Sequence, residues 1–206
     1  QGVDTSELRP DPAVELGLGR LDRPLTRADE VVTYVARNLE PARGFHTLMR
    51  ALPAILARRP SARIIIIGGE EISYGRKSGH PGGYKAELMA EVGDRVDWSR
   101  VHFLGRVPYD GFRRVVQVSR CHVYLSVPFV LSWSLLEAMA MEATIVAADT
   151  SAIREVVEDG VNGRLVDFLN PRQLADTVCE VLAAPSDFTA LRTAARATVT
   201  RDYDLN

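Results

Sequence analysis

Glu137 is an acid set among Leu, Ala and Met residues, shortly after two serines, Ser132 and Ser134. At the start of a helix, hydroxyl and backbone N–H groups can hold a phosphate. A carboxylate one turn further in can accept hydrogen bonds from two sugar hydroxyls, as acids do with ribose in nucleotide sites. The same spacing fits a capping box, in which Glu137 reaches back to a helix start at Ser134. Spacing alone leaves both roles open.

Two arginines, Arg37 and Arg43, lie just before another predicted helix, and Gly44 follows the second of them. Guanidinium groups bind phosphate oxygens through paired hydrogen bonds, and helix N-termini attract anions. The pair therefore suits a diphosphate. The alternative is that one or both arginines form an ion pair with Glu40 or another surface acid.

A long polar loop, residues 68–82, is rich in glycine and includes Gly69 near its start. Glycine lets a backbone approach a ligand closely, so this loop is a candidate part of a binding site. The alternative is a flexible surface loop that touches no ligand.

Several other kinds of site have no signature in the sequence. The phosphate-loop pattern GxxxxGK[ST] and the dinucleotide pattern GxGxxG are both missing. The four histidines are spread over separate elements without metal-ligand spacing, and only His46 is of interest, because it follows Arg43 and Gly44 at a helix start. These patterns argue against an ATPase, a dinucleotide enzyme and a metal centre.

Composition indicates one globular domain that does not bind nucleic acid. The chain has 206 residues, 46% of them hydrophobic, and a net charge of -2 without a basic surplus. Its two cysteines, Cys121 and Cys179, stand far apart in apolar surroundings, which predicts buried thiols in a reducing compartment. No apolar run reaches the roughly 18 residues that a membrane-spanning helix needs.

Strand-like and helix-like segments alternate from residue 31 onward. The predicted strands are residues 31–36, 62–69, 101–105, 121–126, 143–149 and 163–168. The predicted helices are residues 45–59, 84–92, 111–119, 132–141, 152–159, about 171–184 and about 187–201. Repeated strand–helix–strand units of this kind favour a parallel sheet with right-handed crossovers.

The predicted fold is therefore α/β, a doubly wound, mostly parallel Rossmann-like sheet. Residues 1–28, rich in Pro, Gly and charge, are predicted to be a linker or arm, and residues 29–206 the domain. Ligands of such sheets bind outside the carboxyl ends of the strands. The candidate loops are residues 36–44, 68–82, 104–110, 126–133 and 148–152, which contain most of the residues singled out above.

Five ordered stretches together resemble the C-terminal, donor-binding half of retaining group 1 glycosyltransferases (glycosyltransferase family 4, GT-B fold). They are GVDTSELRPDP, YVARNLEPARGFHTLMRAL, VHFLGRVPYDGF, SWSLLEAMAMEATIVAAD and DTSAIREVVEDGVNGRLV. The resemblance runs from about residue 2 to the end of the chain. It implies a nucleotide-diphosphate sugar, UDP- or GDP-linked, as the substrate.

The resemblance also implies roles for individual residues. Glu137 matches the glutamate that binds the ribose, and Arg37 and Arg43 match the family's phosphate-binding Arg and Lys, so both are expected to act on the leaving diphosphate. Main chain at Arg106 and Val107 is expected to line the base. The remaining donor-binding candidates, at glycines or at the start of the predicted helix, are Gly44, Gly69, Ser132, Trp133, Ser134 and Leu135.

Two parts of the motif depart from the family. Arg37 and Arg43 are separated by five residues, where the family usually has an Arg and a Lys separated by four. Phe129 stands where the family usually has a glutamate that contacts the donor sugar, and Val130-Leu131-Ser132 replaces the usual Gly-Phe-Gly. The sugar pocket is therefore expected to be altered. Besides an active transferase, two alternatives stay open: a nucleotide-sugar-binding module without catalysis, and a GT-B-type nucleotide-sugar epimerase.

The resemblance carries further expectations about partners and location. No metal or other cofactor is expected, which agrees with the missing Asp-x-Asp motif. The acceptor is expected to bind an N-terminal domain that precedes this chain, so residues 1–206 alone are expected to be inactive. The protein is expected in the cytoplasm, with contact to the inner face of the membrane as a further expectation.

Overall fold

A computed structural model describes residues 2–19, 21–128 and 131–205. Six strands and seven α-helices lie along these residues, with three short 3₁₀ helices between them. The strands are β1 (Val31–Asn38), β2 (Arg63–Gly69), β3 (Val101–Gly105), β4 (Cys121–Tyr124), β5 (Thr144–Ala148) and β6 (Arg164–Val166). The helices are α1 (Phe45–Arg58), α2 (Gly83–Val92), α3 (Tyr109–Gln117), α4 (Trp133–Ala140), α5 (Ser151–Arg154), α6 (Pro171–Ala183) and α7 (Thr189–Asp202).

The strands form one sheet in the order β3-β2-β1-β4-β5-β6, and every described pair of neighbours is parallel. The central strands are apolar on both faces, as in ARIIIIGG, because helices cover both sides of a parallel sheet. The α/β prediction is confirmed, and the sheet is fully rather than mostly parallel.

Helix packing buries the sheet. α1 packs beside α2 and α6, while α4 packs beside α7. The core contains long aliphatic side chains from both strands and helices, such as Ile65, Leu52 and Leu135, all without solvent exposure. Both cysteines, Cys121 and Cys179, are buried and unbonded, as predicted.

Residues 2–19 and 21–28 form no helix and no strand beyond isolated bridges, yet they are packed against the domain. Val3, Leu8 and Val14 are buried in the common core. The backbone of Val3 bonds with that of Tyr203 at 2.9 Å and with that of Leu205 at 3.1 Å, which ties this arm to the end of the chain.

Helix ends differ most from the sequence prediction. The helix predicted over residues 152–159 ends at Arg154. The reason is Asn162, whose side-chain amide donates to the carbonyl oxygen of Val156 at 2.9 Å while its oxygen accepts from the backbone N–H of Glu158 at 2.8 Å. These side-chain bonds hold the segment in a turn in place of a helix.

Among the helices in the described ranges, none combines the length and the apolar character needed to cross a bilayer.

Candidate functional site

A cavity of about 510 Å³ opens at the carboxyl ends of the central strands. The chain runs outward from β1 to β2 and β3, then returns to the other side of β1 at β4. Such a reversal leaves a crevice in which ligands of doubly wound sheets bind. The lining comprises Val35, Ala36, Arg37, Ile67, Gly68, Arg106, Val107, Tyr109, Phe112, Ser132, Trp133, Ser134 and Glu137.

Glu137 lies in this cavity, partly buried, on the first turns of α4. Its Oε1 accepts a hydrogen bond from the Tyr109 hydroxyl at 2.8 Å. Burial raises the pKa of the Glu137 carboxyl, and the bond from Tyr109 opposes that shift in part. The carboxylate can therefore accept further hydrogen bonds from a ligand.

The capping-box interpretation of Glu137 is wrong. The residue that caps α4 is Ser132, whose Oγ accepts from the backbone N–H of Ser134 at 3.4 Å. The third helical position is then Leu135, so Glu137 lies beyond the reach of a capping box. Sequence spacing misled here because either serine could have begun the helix.

Arg37 and Arg43 occupy different places. Arg37 is exposed, lines the cavity and forms no hydrogen bond or ion pair with any described residue. The Arg43 guanidinium donates to Ser126 Oγ at 2.9 Å and lies 5.3 Å from the centre of the Tyr74 ring, outside the cavity lining.

The suggested ion pair with Glu40 is not found for either arginine within the described ranges. Glu40 is instead fully buried and bonds to backbone. Its Oε2 accepts from the N–H groups of Ser73 at 3.2 Å and Tyr74 at 2.9 Å. Its Oε1 has no partner among the described residues. The carboxylate therefore holds the base of the glycine-rich loop against the sheet.

A second buried group supports the same loop. Asn38, at the end of β1, donates from Nδ2 to Ser73 Oγ at 2.7 Å, and its Oδ1 accepts from Arg106 at 3.3 Å. Arg106 also pairs with Glu71. A Cβ added at Gly69 would lie 2.5 Å from Asn38 Oδ1. A side chain at position 69 would therefore crowd both Asn38 and Arg106.

Gly44, Gly69 and Leu135 were predicted to bind the donor but do not line the cavity. Gly44 has a φ of 69° and packs against Leu125, which forces the chain into the first turn of α1. The side chain of Leu135 is fully buried, and its backbone N–H donates to the carbonyl oxygen of Ser132 at 3.2 Å. His46 is also remote from the lining and packs edge-on against Phe168.

Trp133 and Tyr109 give the cavity an aromatic rim. Trp133, the first residue of α4, is 60% exposed, and Tyr109, the first residue of α3, is 53% exposed. The Tyr109 ring stacks on Phe112 with centroids 5.7 Å apart. Sequence reasoning named Trp133 but missed Tyr109, although Tyr109 lies in a candidate loop and is its only aromatic residue.

Tyr109→Phe tests the link between Tyr109 and Glu137. The hydroxyl favours the ionised carboxylate, so its removal should raise the pKa of Glu137 further. The measurement is the ¹³C chemical shift of the Glu137 carboxyl against pH, with Tyr84→Phe as the control, because the Tyr84 hydroxyl bonds to the Arg76 carbonyl. An unchanged or lowered Glu137 titration in Tyr109→Phe would contradict the assignment.

Within the described ranges, no group of three or more His, Cys, Asp or Glu side chains could hold a metal ion. The expectation that the protein needs no metal stays a prediction.

A family model, Glycosyl transferases group 1, matches residues 29–184. Phosphatidyl-myo-inositol mannosyltransferase of Mycolicibacterium smegmatis is 33% identical over 144 residues, covering 68% of this chain and 33% of that protein. GDP-mannose-dependent alpha-(1-6)-phosphatidylinositol monomannoside mannosyltransferase of Mycobacterium tuberculosis is 30% identical over 204 residues, covering 98% of this chain and 50% of that protein. The chain thus spans a third to a half of the length of these relatives.

Solved structures show the same fold. The C-terminal domain of the group 1 glycosyl transferase LpcC from Francisella tularensis superimposes with a TM-score of 0.79 at 18% identity, covering 100% of both chains. Anabaena HepE, solved in complex with UDP-glucose, superimposes with a TM-score of 0.78 at 21% identity, covering 98% of this chain and 52% of that chain. At these identities the likeness concerns the fold alone.

The family model covers well over half of the 206 residues, and the fold matches an isolated C-terminal domain along its whole length. This chain therefore belongs to the group 1 glycosyltransferases and has the fold of their C-terminal domain.

Proposed function

We propose that this chain is the donor-binding domain of a retaining glycosyltransferase and that its cavity takes a nucleotide-diphosphate sugar. The observation that carries the proposal is the lining at the chain reversal. There Arg37, whose guanidinium pairs with no described residue, shares one cavity with an acceptor carboxylate, Glu137, and with the N-terminus of α4. A nucleotide diphosphate carries anionic oxygens and a ribose diol, which are complementary to these groups.

Charge stabilisation is the chemistry that this lining can supply. As the glycosidic bond breaks, negative charge gathers on the leaving diphosphate. Arg37 and the N-terminal backbone of α4 would stabilise that charge. Arg43, which lies over the Tyr74 ring, would reach the diphosphate only after its side chain moves. Glu137 would hold the ribose, and main chain at Arg106 and Val107 would contact the base.

The relatives suggest which donor to try first. One is named as GDP-mannose-dependent, and several are mannosyltransferases that act on phosphatidylinositol compounds. We propose GDP-mannose as the first candidate donor and a lipid-linked or carbohydrate acceptor. The acceptor would bind an N-terminal domain, and the reaction would take place in the cytoplasm at the membrane face without a metal ion.

Calorimetric titration with UDP, GDP and ADP tests the proposal. GDP should bind best, and Arg37→Ala should weaken its binding by roughly tenfold, the expected loss for one charge-assisted phosphate contact. Arg172→Ala is the matched control, because Arg172 is exposed at the start of α6 and away from the cavity lining. If no nucleotide binds, or if both variants bind equally well, the proposed donor site is wrong.

Two other functions, a binding module without catalysis and an epimerase, are also tested, because Phe129 stands where the family usually has a glutamate. Phe129 lies outside the described residues. A binding module without catalysis would leave every nucleotide sugar unconsumed by the full-length protein. An epimerase would yield an isomerised nucleotide sugar without any acceptor. Product analysis with GDP-mannose, with and without added acceptor, separates both from a transferase.

A further inference from the structure

Three arginines surround a second cavity, of about 250 Å³. It lies at the amino ends of β1 and β4, whereas the candidate donor site lies at the carboxyl ends of the strands. Arg27 precedes β1, Arg120 directly precedes β4, and Arg192 lies in the first turn of α7. The other lining residues are Ser119, Pro185 and Ser186. All charged groups that line this cavity within the described ranges are therefore cationic.

The hydrogen bonds of these guanidiniums go to neutral oxygens. Arg27 donates to the carbonyls of Met141 at 3.5 Å and Glu142 at 3.1 Å, near the end of α4. Arg120 donates to the carbonyls that end the arm, at residues 27 and 28. Arg192 donates to the Pro185 carbonyl at 2.8 Å and to Thr189 Oγ1 at 3.0 Å.

No described carboxylate forms an ion pair with Arg27, Arg120 or Arg192. Two acids act on the cluster from farther away. Glu142 attracts Arg27 and Arg192, and Asp11 attracts Arg27, but neither lines the cavity. Burial lowers the pKa of Arg192, and the charges of Arg27 and Arg120 lower it further.

Three partly buried cations that repel one another cost folding free energy unless a counter-charge joins them. Carbonyl bonds fix the three side chains in place but leave the repulsion. Each guanidinium has five N–H donors, and the two bonds described for each leave further donors for a ligand. The cavity also has room for an oxyanion and some water, since its volume equals roughly that of eight water molecules.

We propose that the cavity between Arg27, Arg120 and Arg192 binds a phosphate group, carried either by a free phosphate ion or by the head group of an anionic lipid. Phosphate oxygens match the paired N–H donors of arginine, whereas chloride offers no such geometry. This site is separate from the donor cavity, which opens at the carboxyl ends of the strands.

Thermal unfolding in sodium phosphate and in sodium chloride of equal ionic strength tests the proposal. Phosphate at about five times its dissociation constant should raise the midpoint by roughly 2 to 4 °C over chloride. The measurement is made in the Arg37→Ala protein, because this substitution weakens phosphate binding in the donor cavity. The rise of the unfolding midpoint should persist in that protein. Equal midpoints in the two salts and no binding in the lipid assay below would overturn the proposal.

Two variants and one control locate the site. Arg192→Gln and Arg120→Gln should each weaken phosphate binding roughly tenfold, while Arg201→Gln should not, since Arg201 lies on the same helix and pairs with Asp202. If a variant fails to fold, the site is tested in the wild-type protein by measuring whether phosphate protects its arginines from modification by phenylglyoxal. Phosphate should protect Arg27, Arg120 and Arg192 but not Arg172, and equal modification with and without phosphate would contradict the site.

Vesicle flotation distinguishes the two sources of phosphate. Vesicles of phosphatidylcholine with phosphatidylinositol, but not phosphatidylcholine alone, should carry the protein if a lipid head group is the ligand. Arg192→Gln should abolish that flotation and Arg201→Gln should retain it. A phosphate-specific thermal shift without flotation identifies the free ion as the ligand, and flotation unaffected by Arg192→Gln excludes this cavity as the lipid site.

Discussion

Glu137→Gln should weaken nucleotide binding by roughly ten- to a hundredfold while it stabilises the unliganded protein. On the proposed function, the carboxylate accepts hydrogen bonds from two ribose hydroxyls, and bonds to a charged group are stronger than bonds to an amide. The stability gain follows from burial, which raises the pKa of Glu137 because the ionised form is disfavoured. We expect a gain of roughly 0.5–1 kcal/mol at neutral pH.

The pH dependence of that gain identifies its source. A carboxyl with a raised pKa binds more protons in the folded state, so its unfavourable contribution is present at neutral pH and disappears as pH falls through the folded pKa. The stability difference between Glu137→Gln and wild type should therefore shrink on acidification. Asp29, with a pKa lowered to about 2 mainly by the bond from Arg23, is common to both proteins and cancels.

Urea unfolding at several pH values, with calorimetry for the nucleotide, measures both effects. Glu15→Gln is the control, because Glu15 is exposed and lies outside the donor cavity. A Glu137→Gln protein that is less stable than wild type at neutral pH would contradict the burial argument. Unchanged nucleotide affinity would contradict the ribose role.

Gly44→Ala should destabilise the fold by roughly 2–5 kcal/mol. Gly44 has a left-handed φ of 69°, which alone costs an alanine roughly 1–2 kcal/mol. An added Cβ would also lie 2.3 Å from Leu125 Cβ, a contact that requires the start of α1 to move away from β4. Such overpacking costs typically 1–3 kcal/mol.

Gly160→Ala separates the two causes. Gly160 has a φ of 74°, but an added Cβ there would meet nothing within 4 Å. It should therefore lose only the backbone part, roughly 1–2 kcal/mol in urea unfolding. Equal losses for the two glycine variants would show that contact with Leu125 is unimportant.

The sheet could be predicted from the sequence because each strand is short, apolar and bounded by polar or glycine residues. Residues 62–69, ARIIIIGG, carry a continuous apolar run that is typical of a strand covered on both faces. Helix boundaries were harder to predict, since they depend on side chains that compete for the backbone. Asn162 bonds to the backbone just after α5, where a longer helix was predicted. The range of α4 was predicted to within one residue at each end, but the residue that caps it is Ser132 rather than Ser134.

The candidate site was predicted in outline but not in its contacts. Arg37, Arg106 and Glu137 all follow predicted strands, and the structure places them in one cavity. This could be predicted because the carboxyl ends of parallel strands lie on the same side of the sheet. The bond from Tyr109 to Glu137 joins residues 28 positions apart, and no periodicity reports such a contact. Arg43 lies in the same loop as Arg37, but its side chain bonds to Ser126. The sequence did not predict this, because local spacing does not determine the direction of a long side chain.

The buried carboxylate of Glu40 has a consequence for the motion of the loop above it. Residues 73 and 74 are tied to a group without solvent exposure, so they can move only if those buried bonds break. Residues 75–82 have no such tie to Glu40 and include Gly75, with a φ of 92°. We expect slow amide exchange at Ser73 and Tyr74 and fast exchange just after them, so that the loop opens from a fixed point beside the donor cavity.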